Sequence, residues 1–336
     1  MSDAQQQREG AVLTVLGPIS PDQLGIVATH EALLSVVPGA QYAFDISMNR
    51  SEIFDALASQ LHAFKDAGGS SIVDSTGMFH GRDLPLYEAL SRETGVNIIA
   101  STGMGPEEQL GGYFLTPQTN PPTPWPAEKF AELFSKEVTE GMVRPRLERR
   151  AAAGLITTEA DRHGITATEV SLFKGAARAA LMTGLSVSLR YGIDANSELQ
   201  EILDEGLSAD RILVGGLDRA DASGVAQSIA AQGSFVGIDH VGHTSSDYIT
   251  DEARVALVTE LIAAGVTNRI ILSSNAVGVA KGHEVADVEF SKLLTSFVPQ
   301  LKSAGVTETE INQILVDNPR ELLTVRAAVA VTNVNA

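Results

Sequence analysis

Short apolar runs alternate with longer segments of helical periodicity from residue 25 almost to the C-terminus. Each run has four to six residues, the length of a buried parallel strand. Eight such strands separated by helices predict a closed (β/α)8 barrel, the TIM-barrel fold of the α/β class, rather than an open sheet. The predicted strands are residues 25–30, 70–74, 96–101, 154–157, 185–190, 211–215, 235–239 and 269–273.

Helix boundaries are marked by capping residues. Ser51 precedes an amphipathic segment, and residues 166–184 begin at Thr166 and end at Gly184, a pattern typical of a capped helix. Residues 252–265 and 287–305 show the same periodicity, so we expect helices there as well.

The sequence also predicts an N-terminal tail, a single domain and a possible lid. Residues 1–10 are expected to form a flexible tail, and a short N-terminal β arm begins at residue 11 and turns at Gly17 and Pro18. Residues 11–330 are expected to form a single barrel domain. The proline-rich segment 103–126 follows the third strand, a position that favours an active-site lid over a domain boundary.

Composition narrows the class of function. The 336 residues carry 42 acidic and 24 basic side chains, a net charge of −18 that disfavours nucleic acid and anionic membranes as partners. The chain has no cysteine, which excludes disulfides and thiolate metal sites. Neither a secretory signal nor a run of about 20 apolar residues is present, so we expect a cytoplasmic protein without a membrane span.

Six segments carry a resemblance to a known family. The first predicted strand ends in Thr29-His30-Glu31-Ala32-Leu33, and the later segments follow in the same order as in that family. The chain resembles the phosphotriesterase-like family of the amidohydrolase superfamily over roughly residues 11–325, as a divergent member. The further segments are residues 72–83, 94–103, 174–184, 235–240 and 312–323.

The resemblance also implies a binuclear metal centre whose ligands this chain has largely lost. Family members hold two metals with a His-x-His pair, a carboxylated lysine, two further histidines and an aspartate. Only the first histidine is retained here. A methyl group cannot bind a metal and a guanidinium repels one, so the usual metallohydrolase activity is not expected. The corresponding residues are His30, Ala32, Thr157, Arg190, Gly216 and Asn275.

The chemistry that remains should lie at the carboxyl ends of the strands, where barrel enzymes place their reactive groups. The densest group is Asp239, His240 and His243, two imidazoles and a carboxylate within five residues that suit acid/base chemistry. By the same rule the candidate residues are His30, Glu31, Asp74, Arg190, Tyr191, Asp218, Arg219, Asp239, His240, His243 and Asn275.

Each candidate has a functional and a structural interpretation. We expect His240 to move a proton with Asp239 behind it and His243 beside it, and Arg190 to bind negative charge in place of a metal. Arg190 could instead form an internal ion pair with Asp74, Asp218 or Asp239. The residues expected to bind substrate are His30, Tyr191, Arg219, Asn275 and Trp125, although Trp125 could equally anchor its loop by packing.

The leading hypothesis is an enzyme without metal or other cofactor. It would carry out hydrolysis, elimination or isomerisation on a small anionic or carbonyl substrate, with a homodimer possible. The alternatives are a metal-dependent lactonase or phosphotriesterase with rearranged ligands, and a non-catalytic binding or partner subunit. No Gly-x-Ser-x-Gly elbow, Walker loop or dinucleotide glycine motif occurs, which argues against serine hydrolases, NTPases and nicotinamide enzymes.

Overall fold

The computed structural model of the chain describes residues 8–110, 125–144 and 148–329. Its barrel strands lie close to the predicted ones, and two antiparallel pairs of short strands lie outside the barrel, one of them in the predicted N-terminal arm. The strands are β1 (Val12–Thr14), β2 (Gly17–Ile19), β3 (Val27–Val36), β4 (Ser71–Asp74), β5 (Asn97–Met104), β6 (Val143–Arg144), β7 (Glu148–Arg149), β8 (Leu155–Glu159), β9 (Val187–Arg190), β10 (Ile212–Gly215), β11 (Phe235–Ile238), β12 (Ile270–Leu272) and β13 (Val277–Lys281).

Helices follow the barrel strands, as the sequence pattern predicts, and the predicted caps are confirmed at Thr166 and Gly184. The predicted cap at Ser51 is wrong: Ser51 lies in the first turn of its helix, and its amide donates to the side chain of Asn49, the actual cap, at 3.1 Å. The last predicted helix, 287–305, is shorter: a π-helical turn, Leu293–Phe297, leads into it. A second such turn, Gln313–Asp317, precedes the final helix. The helices are α1 (Arg50–Asp66), α2 (Leu84–Thr94), α3 (Ala127–Thr139), α4 (Ala167–Thr183), α5 (Ala195–Leu203), α6 (Val225–Ala231), α7 (Asp251–Ala263), α8 (Val298–Ser303), α9 (Glu308–Asn312) and α10 (Asn318–Leu323).

The parallel sheet is a (β/α)8 barrel, which confirms the predicted fold class. Its strand order is β12-β11-β10-β9-β8-β5-β4-β3-β13, and every neighbouring pair is parallel. The first and last segments, β12 and β13, belong to the same eighth strand, which pairs with β11 on one side and with β3 on the other. The chain between them closes the barrel, and the Ala32 amide donates to the Ala276 carbonyl across this seam at 2.9 Å.

The N-terminal arm is a hairpin, but its turn differs from the predicted one. Val12 pairs with Ile19, so Gly17 and Pro18 begin the second strand and the turn lies at residues 15 and 16. Val12 is fully buried, because it packs against inward-facing residues near the amino ends of four barrel elements. These residues are Leu24, Val27, Val73, Ile99 and Leu155, and the hairpin thereby covers the amino-terminal end of the barrel.

The opposite end, where the carboxyl ends of the barrel strands meet, is called the barrel mouth below. Three strands continue further toward it than the sequence pattern predicts: β3 reaches Val36, β5 reaches Met104 and β8 reaches Glu159. The extensions place more side chains at the mouth than expected. Residues 111–124 of the predicted lid lie outside the described residues. Among the described residues, no helix is long and apolar enough to cross a lipid bilayer.

Candidate functional site

His240 lies at the barrel mouth, two residues beyond the end of β11, and is 99% buried. Its Nδ1 atom is 2.7 Å from Oδ1 of Asp218, and its backbone amide donates to Oδ2 of the same carboxylate at 2.9 Å. The ring stacks on Tyr248 with centroids 3.7 Å apart and planes 17° apart. These contacts fix both the position and the plane of the imidazole.

The residue that orients His240 is therefore Asp218 and not Asp239, which corrects the expectation from the sequence. Asp239 precedes His240 in the chain, but its side chain points into the barrel, toward β10. There its Oδ2 accepts a hydrogen bond from the Gly216 amide at 2.7 Å. Consecutive side chains along a strand point to opposite faces, so an aspartate adjacent in sequence is poorly placed to hold the next ring.

Arg190, at the end of β9, contacts the other side of the His240 ring. Its Nη2 is 3.2 Å from Nε2 of His240. A guanidinium can only donate, so Nε2 accepts and the ring carries its proton on Nδ1, which donates to Asp218. Burial lowers the pKa of His240 to about 4, because it outweighs the favourable contact with Asp218. At neutral pH the imidazole is uncharged, and its lone pair faces Arg190.

The Asp218 carboxylate is held in the ionised form by a buried arginine. Burial alone would raise the pKa of Asp218, yet the hydrogen bond from His240 and the guanidinium of Arg254 hold it well below its usual range. Arg254 lies in the first turn of α7, is fully buried, and donates from Nε to Asp218 at 2.7 Å and from Nη1 to Asp251 at 2.6 Å. The chain of contacts thus runs from Asp251 through Arg254, Asp218 and His240 to Arg190.

None of the internal ion pairs considered for Arg190 is formed. Asp218 is bound to Arg254, and Asp239 to a backbone amide. Asp74 accepts from the Leu33 amide at 2.8 Å and from the Tyr87 hydroxyl at 2.9 Å. The nearest carboxylate to Arg190 is that of Glu159 on β8, 3.8 Å from Nη1, a residue that sequence reasoning missed.

Two further carboxyl groups are buried in the barrel near its mouth. Glu31 accepts hydrogen bonds from the Ser273 hydroxyl at 2.7 Å and from the Ser274 amide at 3.0 Å, and it also accepts from the Ala276 amide. It therefore holds the seam of the barrel by these hydrogen bonds. Burial raises the pKa of Glu31 to about 8.

Asp239 has a similar environment but one free atom. Burial and the charge of Asp218 raise the pKa of Asp239 to about 7. Its Oδ1 has no hydrogen-bond partner among the described residues. Glycines make room for it: a Cβ on Gly215 would lie 2.4 Å from Oδ2, and one on Gly237 would lie 2.8 Å from Oδ1.

The two other histidines among the candidate residues, His30 and His243, differ in their hydrogen bonds. The His30 amide donates to the Ser273 hydroxyl at 2.8 Å, whereas the buried Nδ1 of its ring has no partner among the described residues. Burial, with a smaller effect of Arg190, lowers the pKa of His30 to about 3, so this ring is neutral. His243 packs edge-on against His240 and donates from Nε2 to the Ser274 carbonyl at 2.7 Å.

The remaining predicted substrate-binding residues do not share one environment. Arg219 donates to the carbonyls of Tyr191 and Gly192 and to the Asp221 carboxylate. Most of its guanidinium N–H groups are therefore already hydrogen-bonded within the protein. The Tyr191 ring lies under that guanidinium, 4.5 Å from it, and the Tyr191 hydroxyl has no partner among the described residues.

Asn275 and Trp125 complete the predicted set. Asn275 lies at the seam of the barrel with φ +44°, an unusual angle for a residue other than glycine. Trp125 lies just before α3, against Phe130 with ring centroids 5.5 Å apart and under Lys129. These contacts favour the packing interpretation of Trp125, and its role in substrate binding stays a prediction.

The donor set at the mouth does not fit the binuclear metal centre of the resembled family. A divalent cation needs several lone-pair donors that converge on one point. Here Ala32 and Gly216 offer no side-chain donor, and the Arg190 guanidinium points its N–H groups at the lone pair of His240. Within the described residues, no group of three or more histidine, aspartate or glutamate side chains is arranged to hold a metal.

Sequence reasoning missed three residues of this site, and two of them carried a readable signal. Arg254 occupies the same apolar stripe of α7 as Val258 and Leu261, and an arginine on such a stripe indicates a buried acidic partner. Glu159 follows Thr157 at the two-residue spacing of a strand and so shares its face. Tyr248 lies in a surface loop, and the sequence around it did not indicate that it stacks on His240.

The sequence matches a known protein family over most of its length. The profile of the phosphotriesterase family matches residues 10–323. N-acetyltaurine hydrolase of Salmo salar is 26% identical over 94% of this chain and 98% of its own length. Aryldialkylphosphatase of Saccharolobus solfataricus is 26% identical over 90% and 96%, and the phosphotriesterase homology protein of Escherichia coli is 24% identical over 90% and 99%.

Proposed function

Because the chain belongs to the phosphotriesterase family, we propose that it is a hydrolase that works without a metal ion on a small, negatively charged substrate. The observation that carries the proposal is the chain of contacts from Asp218 through His240 to Arg190 at the barrel mouth. It joins a carboxylate that orients an imidazole, an imidazole with an available lone pair, and a cation. These groups can supply the general base and the charge stabilisation for hydrolysis of an acyl bond without a metal.

Arg190 binds the substrate and, in doing so, releases the base. In the resting protein its guanidinium covers Nε2 of His240, and the Arg190 side chain is 25% exposed whereas the His240 ring is 1% exposed. An anionic group attracts the guanidinium and draws it from the imidazole, because a charge-assisted hydrogen bond is stronger than one to a neutral nitrogen. The Nε2 lone pair then faces the substrate.

The proton can be followed through both halves of the reaction. A water molecule attacks the acyl carbon, and its proton passes to Nε2 of His240. The resulting imidazolium is stabilised by the Asp218 carboxylate, while N–H groups of Arg190 stabilise the charge on the carbonyl oxygen. Collapse of the intermediate breaks the bond to the leaving nitrogen or oxygen, which takes the proton back from His240. The base is thereby restored.

The choice of substrate class is supported by the relatives. Several are named N-acetyltaurine hydrolase, and N-acetyltaurine is an amide that carries a sulfonate. Another is named aryldialkylphosphatase, whose substrates carry no such anionic group. Arg190 favours the first class, because a guanidinium in a buried mouth is stabilised by an anionic ligand.

The first experiment measures hydrolysis by protein purified with and without EDTA. N-acetyltaurine, other anionic N-acyl amides, anionic aryl esters, lactones and an aryl dialkyl phosphate form the substrate panel. We expect turnover of an anionic amide or ester that is unchanged by chelation, with well below one equivalent of transition metal per chain. Turnover that appears only with added zinc contradicts the proposal and supports a metal-dependent hydrolase with rearranged ligands.

The second experiment assigns the roles by substitution. His240→Ala should lower turnover by about 10²–10⁴-fold, the contribution of a general acid or base. Arg190→Lys should lower it by about 10²–10³-fold, because lysine lacks the planar fork. His62→Ala is the control, since His62 is exposed on helix α1. Anion binding without turnover of any substrate would instead indicate a binding protein.

A further inference from the structure

Glu159 occupies a position that gives it a specific relation to Arg190. The two residues end neighbouring strands, β8 and β9, and are register partners in the parallel pair. Both side chains are partly exposed, Glu159 at 29% and Arg190 at 25%, whereas Asp218, Asp239 and His240 are almost fully buried. Glu159 and Arg190 therefore form a charged pair at the mouth that is accessible to solvent.

The contact between these two charges is loose. Oε1 of Glu159 is 3.8 Å from Nη1 of Arg190, beyond hydrogen-bond distance, and the Glu159 carboxylate makes no hydrogen bond within the described residues. By contrast, the neighbouring carboxylate of Asp218 is bound by His240 and Arg254. Glu159 is thus the acidic group near Arg190 whose oxygens are free to move away.

We propose that Glu159 is a specificity-determining residue that competes with the anionic group of the substrate for Arg190. With Glu159 in place its charge offsets that of Arg190, so an anion must replace the glutamate before it gains the full attraction of the guanidinium. Glu159 thereby weakens binding of simple anions and makes affinity depend on the rest of the substrate. The inference rests on the proposed role of Arg190 in binding anions.

The competition also predicts which ligands are excluded. A ligand with one negative charge replaces Glu159 at Arg190 and leaves one carboxylate nearby. A ligand with two charges adds a further repulsion with Glu159 at close range, where like charges are unfavourable. The mouth should therefore prefer monoanions to dianions of similar size, and Glu159 should be the origin of that preference.

The experiment measures binding of methanesulfonate and of inorganic phosphate by calorimetry to the full chain at about pH 8.5, where phosphate is chiefly a dianion. Glu159→Gln keeps the shape of the side chain and removes its charge. We expect the dissociation constant for methanesulfonate to fall about twofold to fivefold, as for loss of a partly exposed ion pair, with a larger fall for phosphate. Glu201→Gln is the matched control, because Glu201 is 30% exposed and pairs with Lys174 on the outer helices.

Two results separate this inference from the proposed function. In an Arg190→Ala background, Glu159→Gln should have no effect on methanesulfonate affinity. If Arg190→Ala abolishes anion binding but Glu159→Gln alone changes nothing, Glu159 is not the competitor, although the anion site stands. If Glu159→Gln strengthens binding while no substrate is hydrolysed, the inference holds and the catalytic proposal fails. An equal gain from Glu201→Gln would show a general charge effect and overturn the inference.

Discussion

Replacing Arg254 by methionine should destabilise the protein strongly, because it leaves the buried carboxylate of Asp218 without its cation. Both side chains are fully buried, and the guanidinium also donates to Asp251 at 2.6 Å. Removing one partner of a buried ion pair costs about 3–5 kcal/mol, a large part of the ~5–15 kcal/mol that stabilises a folded protein. Methionine keeps the aliphatic stem, so little of this loss comes from packing.

The assay is urea unfolding followed by circular dichroism at neutral pH. The control is Arg178→Met, which removes partly exposed pairs with Glu128 and Glu205 and should cost about 1 kcal/mol or less. Arg254→Lys keeps the charge but cannot reach both carboxylates at once, so its stability should lie between those of the wild type and Arg254→Met. If Arg254→Met does not fold, the stability of Arg254→Lys can still be compared with that of the wild type.

A double-mutant cycle identifies the partner. Asp218→Asn should also be destabilising, because its amide group would face the N–H donors of His240 and Arg254. If the two residues act as one unit, the loss in the double variant should be smaller than the sum of the single losses by about 1–3 kcal/mol. Losses that add to within about 0.5 kcal/mol would refute the reasoning.

Two other predictions concern protonation and the barrel seam. Since burial lowers the pKa of His240 to about 4, its base form persists in mild acid, and the hydrolysis rate should fall only as the pH drops through about 4. An acid limb near pH 6.5 in a pH–rate profile would contradict a buried base. Glu31→Gln should lower the free energy of unfolding by about 1–3 kcal/mol, because the amide cannot accept all three hydrogen bonds from Ser273, Ser274 and Ala276. Urea unfolding measures this loss, and an unchanged midpoint would show that the seam does not depend on Glu31.

The amino-acid sequence by itself determined the fold and the location of the candidate site. Strand length, helical spacing and caps such as Thr166 and Gly184 are local properties, readable wherever a segment has one dominant period. Because reactive groups of a barrel lie at the carboxyl ends of its strands, the sequence also predicted that Arg190 and His240 would lie at the same mouth of the barrel. In the structure their side chains are 3.2 Å apart.

Only the tertiary structure decided which of these groups act on one another. Asp239 is adjacent to His240 in sequence, yet strand alternation turns it into the barrel, and Asp218 from the preceding strand end takes its place. Arg254 reaches Asp218 from a helix 36 positions further along the chain. Such pairings depend on whether side chains from separate parts of the chain come within a few ångströms of one another across the barrel. The local order of residues does not show which of them do. The sequence therefore locates the chemistry at the mouth, and the packing of the barrel assigns the partners.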